Sequence, residues 1–119
     1  MTTTPKYEIK DGRVVALRDF GDVKAGDVGG FVDGEHNLSH DGLCWIFGDA
    51  RVFGDARLSG HAQVSGHALV FGDARVSGDA RVSGDAQVFG RARVSDRAQV
   101  SGSARVSDNV CISGDTILD

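Results

Sequence analysis

From Ile46 onward, every sixth residue is aliphatic: Val52, Leu58, Val64, Val70, Val76, Val82, Val88, Val94, Val100, Val106, Ile112 and Leu118. Two positions before each stands a small residue: Cys44, then an alanine in every unit from Ala50 to Ala104, then Val110 and Thr116. Side chains alternate along a strand, so the small and aliphatic positions share one face. The intervening positions hold mostly Arg, Gln and Ser, whose polar groups are costly to bury unpaired. The Ala/Val face is therefore the inside. Four residues are too few for a helix, and valine favours the strand. Each unit reads small–x–aliphatic–x, then two turn residues. The first turn residue is glycine, replaced only by Asp96 and Asp108. Aspartate is among the few residues that tolerate positive φ, so this column is predicted to have φ > 0. The second turn column varies freely and carries no such requirement.

A period of six does not by itself give the number of sides. Phe53, Phe71 and Phe89 do, because they recur every three units. A three-sided coil of 18 residues sets them directly above one another; a two-sided coil does not. The pattern reaches upstream of Ile46. Residues 30–33 fit a strand with Gly34-Glu35 as its corner, and 36–39 fit the next strand. Residues 40–43 make a corner with two extra residues, and 44–47 complete a first coil. The expectation is an all-β, three-sided parallel β-helix of about five coils. At the usual strand spacing of roughly 4.8 Å, the stack is on the order of 24 Å tall.

Residues 1–29 do not repeat. Tyr7–Lys10, Asp11-Gly12 and Arg13–Ala16 read as a hairpin with a tight turn. Its expected role is to cover the first coil, since an open strand edge invites aggregation. The chain thus divides into a cap segment, 1–29, and a β-helix, 30–119, within one domain. At the other end, Cys111 and Ile117 take outward positions otherwise held mostly by Arg or Gln. Two readings stay open there: another subunit covers this end, or the repeat simply stops.

The 119 residues are one domain's worth. Seventeen glycines against one proline suit many tight turns rather than a disordered linker. A formal net charge of −4 speaks against a general nucleic-acid binder. No apolar run is long enough to cross a membrane, and Met1-Thr2-Thr3-Thr4 does not begin a signal peptide. Two cysteines, Cys44 and Cys111, make no disulfide framework. A cytoplasmic location is the expectation.

Sorting outward residues by side gives three faces. The first carries Phe53, Leu69, Phe71 and Phe89, flanked by Arg51 and Gln87, with Phe31 near its start. One apolar stripe on a polar surface marks an interface, although the rings could also stack only on one another. The second carries Arg57, Arg75 and Arg93 among serines, a candidate anion or partner face. Corner aspartates such as Asp55 and Asp73 are expected to neutralise it. The third carries Trp45, Phe47, Gln63, Arg81 and Gln99, its aromatic end expected under the hairpin. A corner column of Asp49, His67, Asp85 and Ser103 is read as a charged edge, not a metal site. Another, His61, Asp79, Arg97 and Asp115, is read as alternating salt bridges of small value.

The unbroken aliphatic–x–x–x–small–x pattern resembles the hexapeptide-repeat proteins. That resemblance implies a left-handed parallel β-helix, commonly trimeric. The residues Asp19-Phe20, Val23–Gly26, Gly29–Asp33, Leu38-Ser39 and Cys44–Ile46 resemble a group of bacterial and prophage hexapeptide-repeat proteins labelled acyltransferases. An acyltransferase needs a base and usually a loop over its donor. The repeat from Cys44 onward is uninterrupted, and His61 and His67 sit at different corners. His36 or His40 at a subunit interface is the remaining route to such an enzyme. No catalytic residue, metal ligand or cofactor is assigned. The expected function is a non-catalytic protein–protein interaction module. It would be a homo-oligomer, trimer or dimer, through the Phe stripe, and the prophage resemblance adds a host complex as partner, with the chain as a phage-encoded inhibitor of a host defence complex. The alternatives are an acyltransferase and a self-assembling scaffold.

Overall fold

The computed structural model describes residues 6–20, 23–39 and 42–118. Strands β1 (Tyr7–Lys10) and β2 (Arg13–Ala16) form an antiparallel hairpin. Asp11 and Gly12 between them both have positive φ, 52° and 81°. That is what a two-residue hairpin turn with matched twist requires. β2 pairs antiparallel with β3 (Val28–Val32), which opens the first coil.

The chain then winds. The first coil closes through β4 (Trp45–Ile46). The second holds β5 (Arg51–Val52), β6 (Arg57–Leu58) and β7 (Gln63–Val64). The third holds β8 (Leu69–Val70), β9 (Arg75–Val76) and β10 (Arg81–Val82). The fourth holds β11 (Gln87–Val88), β12 (Arg93–Val94) and β13 (Gln99–Val100). The fifth holds β14 (Arg105–Val106), β15 (Cys111–Ile112) and β16 (Ile117–Leu118). Successive coils stack in parallel register, Val52 on Val70, Val88 on Val106. Three sheets result, and the hairpin extends the first of them to seven strands. The fold is the five-coil, three-sided parallel solenoid that the periodicity predicts.

Its interior is the alternation made solid. The alanines Ala50 to Ala98 and the aliphatic residues Ile46 to Val100 are all 0–1 % exposed. Each strand is shorter than expected, with only the x and aliphatic positions in regular ladder geometry. The backbone between strands is nevertheless paired. At the corner after β5, Asp55 N donates to Gly72 O at 2.9 Å, and Ala56 N to Phe53 O at 3.3 Å. The glycines from Gly48 to Gly114 in the corner column have φ of 61–69°, and Asp96 and Asp108 have 56° and 59°.

The first coil departs from the expectation at 36–39. Glu35–Asn37 is a 3-10 turn, not a strand, and only Leu38 keeps the ladder, bridging Leu58. The cause is Asn37, which is fully buried. Its Oδ1 accepts from Asp33 N and Gly34 N, and its Nδ2 donates to Gly54 O and Ala56 O. This local side-chain bonding outcompetes the ladder. Leu38 lies 20 residues before its partner, whereas Trp45 lies 18 before Gln63. The two extra residues therefore fall between them, where the enlarged corner was expected; His40 and Asp41 themselves lie outside the described residues.

At the aromatic end of the third face Trp45 is covered, as expected, while Phe47 is half-buried. Trp45 is 1 % exposed and meets Tyr7 and Phe20 edge-on, with centroids 6.3 and 5.2 Å away. Beneath them Lys6 is fully buried, its Nζ donating to Cys44 O at 2.8 Å and lying 3.3 Å from Cys44 Sγ. The same ammonium sits over the Phe20 ring at 5.1 Å. β3 reaches this core only because Gly30 has no side chain; a Cβ there would overlap Ala50 O.

Candidate functional site

The parallel register sets Phe53, Phe71 and Phe89 in one row on the first face. Adjacent rings are 5.0 Å apart and within 4° of parallel. This is one rung of the sheet converted into a ring stack. Each ring is half-buried, as is Leu69 beside them. The stack ends at Asp33, whose carboxylate accepts from Gly54 N at 2.8 Å. Phe31, one ladder position away, is clamped between guanidiniums, with Arg13 4.6 Å and Arg51 5.0 Å from its centroid. A groove of about 280 Å³ lined by Phe31, Val32, Asp33, Arg51 and Phe53 opens at this end.

On the second face Arg57 stacks on Arg75 and Arg75 on Arg93. All three are exposed. The expected neutralisation does not run through contact pairs: among the described residues neither Asp55 nor Asp73 makes an ion pair with them. Asp55 and Asp73 instead share a groove of about 390 Å³ with Arg57, Arg75, Arg93 and a fourth arginine, Arg91. Arg91 was missed by sorting strands alone. It stands at the corner, in the column that holds Asp55 and Asp73 two and one coils earlier. Sorting that third corner column would have found it.

The remaining candidates separate. The column of His61, Asp79, Arg97 and Asp115 forms no ion pairs among the described residues, against expectation. Its carboxylates and Arg97 border an open groove in place of contact pairs. Asp49, in the other column, faces Arg13 at 3.6 Å. Among the described residues no three His, Cys, Asp or Glu side chains cluster as a metal site would need. His36 Nε2 lies 2.8 Å from Gly54 O, which can only accept, so this nitrogen donates. His61 and His67 are exposed on different corners, and His40 lies outside the described residues. Among the described residues, Tyr7 has a clearly displaced titration. Burial pushes its hydroxyl well above the ordinary phenol range, and the charges of Glu35 and Cys44 add to the effect.

Cys111 is exposed, and so are Val110 and Ile117 in the same last coil, at 48 % and 63 %. Among the described residues no helix is long and apolar enough to cross a membrane.

Comparison with known families agrees with this geometry. The family described as YdcK Beta solenoid repeat matches residues 62–76, 74–88 and 86–102, overlapping stretches from the last strand of the second coil through the fourth coil. No curated protein matches the sequence. With three parallel sheets and an 18-residue coil, the chain is a repeat-built parallel β-solenoid, similar to that family over residues 62–102.

Proposed function

We propose that this solenoid is a non-catalytic protein–protein interaction module that self-associates, as a dimer or trimer, through its first face. The observation that carries the reading is the row formed by Phe53, Phe71 and Phe89, straight, parallel and half-exposed. Stacking covers the ring faces but leaves their outer edges, and Leu69, on a surface otherwise built of Arg, Gln and Ser. Covering that row removes apolar area from water at about 25 cal/mol per Å². A straight row also suits a second rigid solenoid, whose rungs have the same spacing. The His side chains support the non-catalytic part: His61 and His67 do not converge, and His36 is engaged with a backbone carbonyl. Docking onto a larger complex of a bacterial host, in the cytoplasm, belongs to the same proposal.

The test is mass by light scattering after size exclusion. The wild type is expected as a dimer or trimer, and Phe71→Ser, which removes the middle ring, as a monomer with an unchanged circular dichroism spectrum. A monomeric wild type, or a variant of unchanged mass, would defeat the self-association reading.

A further inference from the structure

The three faces treat arginine differently. On the first, the outward ladder runs Arg51, Leu69, Gln87, Arg105. On the third it runs Trp45, Gln63, Arg81, Gln99, Ile117. On the first, Arg51 and Arg105 are separated by two neutral residues, and the third carries Arg81 alone. Only the second face stacks Arg57, Arg75 and Arg93 without interruption. Like charges directly opposed across a ladder are destabilising. A Gln or Ser in the middle rung would remove that repulsion, as the other faces do.

The corner column beside this ladder sharpens the point. In the second coil Asp55 accompanies Arg57, and in the third Asp73 accompanies Arg75. In the fourth, Arg91 accompanies Arg93, and in the fifth Asn109 accompanies Cys111. Counted coil by coil, the formal charge of these pairs is zero, zero, plus two and zero. The excess positive charge is therefore concentrated at one level of the groove of about 390 Å³ that these side chains line.

We propose that this groove binds a single dianionic oxyanion, a phosphate monoester, at the Arg91/Arg93 level, with Arg75 as the third guanidinium. A guanidinium offers a planar fork of donors that matches phosphate oxygens, and such charge-assisted bonds are the strong ones. The volume suits a small ligand. The carboxylates decide against a polyanion: Asp55 and Asp73 occupy the groove's other two levels and would repel further phosphates. They accept hydrogen bonds, so the ester's body is hydroxylated, as in a sugar phosphate. The site is independent of the aromatic row and stands whether or not the chain self-associates.

The experiment is calorimetric titration of the wild-type protein with glucose 6-phosphate, with inorganic phosphate and with glucose, at constant ionic strength. Both phosphates should bind, the sugar phosphate more tightly, and glucose should not. Arg91→Asn places at this corner the residue that the next coil already carries there, so the fold should tolerate it. It should weaken both phosphates by about tenfold or more, the loss expected for a charge-assisted bond. Asp73→Asn should bring the two phosphates closer together in affinity. Arg81→Gln, on the third face, should bind as wild type. Phosphate binding unchanged in Arg91→Asn, or equally weakened in Arg81→Gln, would overturn the site. So would phosphate behaving like added chloride.

Discussion

At the scale of single residues, one backbone angle repeated along the corner column shapes the coil. Gly72 has φ 69°, and a Cβ there would sit 3.0 Å from Gly90 N in the next coil. A side chain at this position meets two penalties: left-handed backbone strain of about 1–2 kcal/mol and pressure on the neighbouring coil. Aspartate at Asp96 offsets part of this, because its Oδ2 accepts from Gly114 N at 3.0 Å. Gly72→Val should therefore cost about 2 kcal/mol or more in chemical denaturation, and Gly72→Asp clearly less. Equal losses would show that the angle is not what limits the column. This much was legible beforehand, since Asp96 and Asp108 are the residues that could replace glycine there. Arg91 was harder to see. Its importance lies in which coil it occupies, and a residue-by-residue scan does not compare positions 18 apart at the corners.

At the scale of elements, the hairpin and the first coil are joined by contacts that no period announces. Tyr7 is paired through β1 to β2, yet its hydroxyl donates to Leu38 O at 2.5 Å and lies 3.2 Å from Glu35 O. The hairpin was readable from Asp-Gly between two alternating segments. The 3-10 turn at Glu35–Asn37 was not, because a histidine–asparagine–leucine–serine run fits the repeat until Asn37 finds four backbone partners. Lys6 and Cys44 are likewise 38 residues apart in sequence. The buried phenol has a measurable consequence. Its folded pKa is raised above the ordinary 10.0, so up to about pH 10 neither folded nor unfolded chains ionise it. Above that, the unfolded chain ionises first, and stability is lost as pH rises toward the folded value. Tyr7 is the chain's one tyrosine, so its absorbance reports the group directly. Tyrosinate should appear only together with loss of the β-sheet spectrum. Tyr7→Phe should flatten the alkaline limb while costing about 1 kcal/mol near neutrality. Tyrosinate forming near pH 10 in a folded protein would contradict the burial argument.

At the scale of the whole molecule, each coil touches mainly its two neighbours, so stability is a sum of coil and interface contributions. The number of sides was readable because three phenylalanines are spaced by a full coil. Their half-burial was not, because it depends on how closely one rung lets the rings approach. The interior asks only for small–x–aliphatic–x, which every six-residue unit supplies. Removing residues 90–107, one coil, should therefore leave a folded solenoid with the faces and all three rings of the row in place. Removing residues 78–83 should also leave it folded, but everything downstream turns by one side. Phe89 then leaves the row of Phe53 and Phe71. The two deletion variants should give similar circular dichroism but differ in mass by light scattering, if the aromatic row joins subunits. Loss of structure in the six-residue deletion alone would show that the outward residues, not the interior, hold the coils in register.

The 18-residue register also has a consequence at the level of the gene. DNA encoding near-identical Gly-Asp-Ala-Arg-Val-Ser units is prone to misalignment during copying and recombination, which gains or loses whole units. One or two units alter which side of the prism displays each downstream residue, while three alter only its length. Copy-number change in such a gene is thus a way of shuffling surface chemistry between faces with the core untouched.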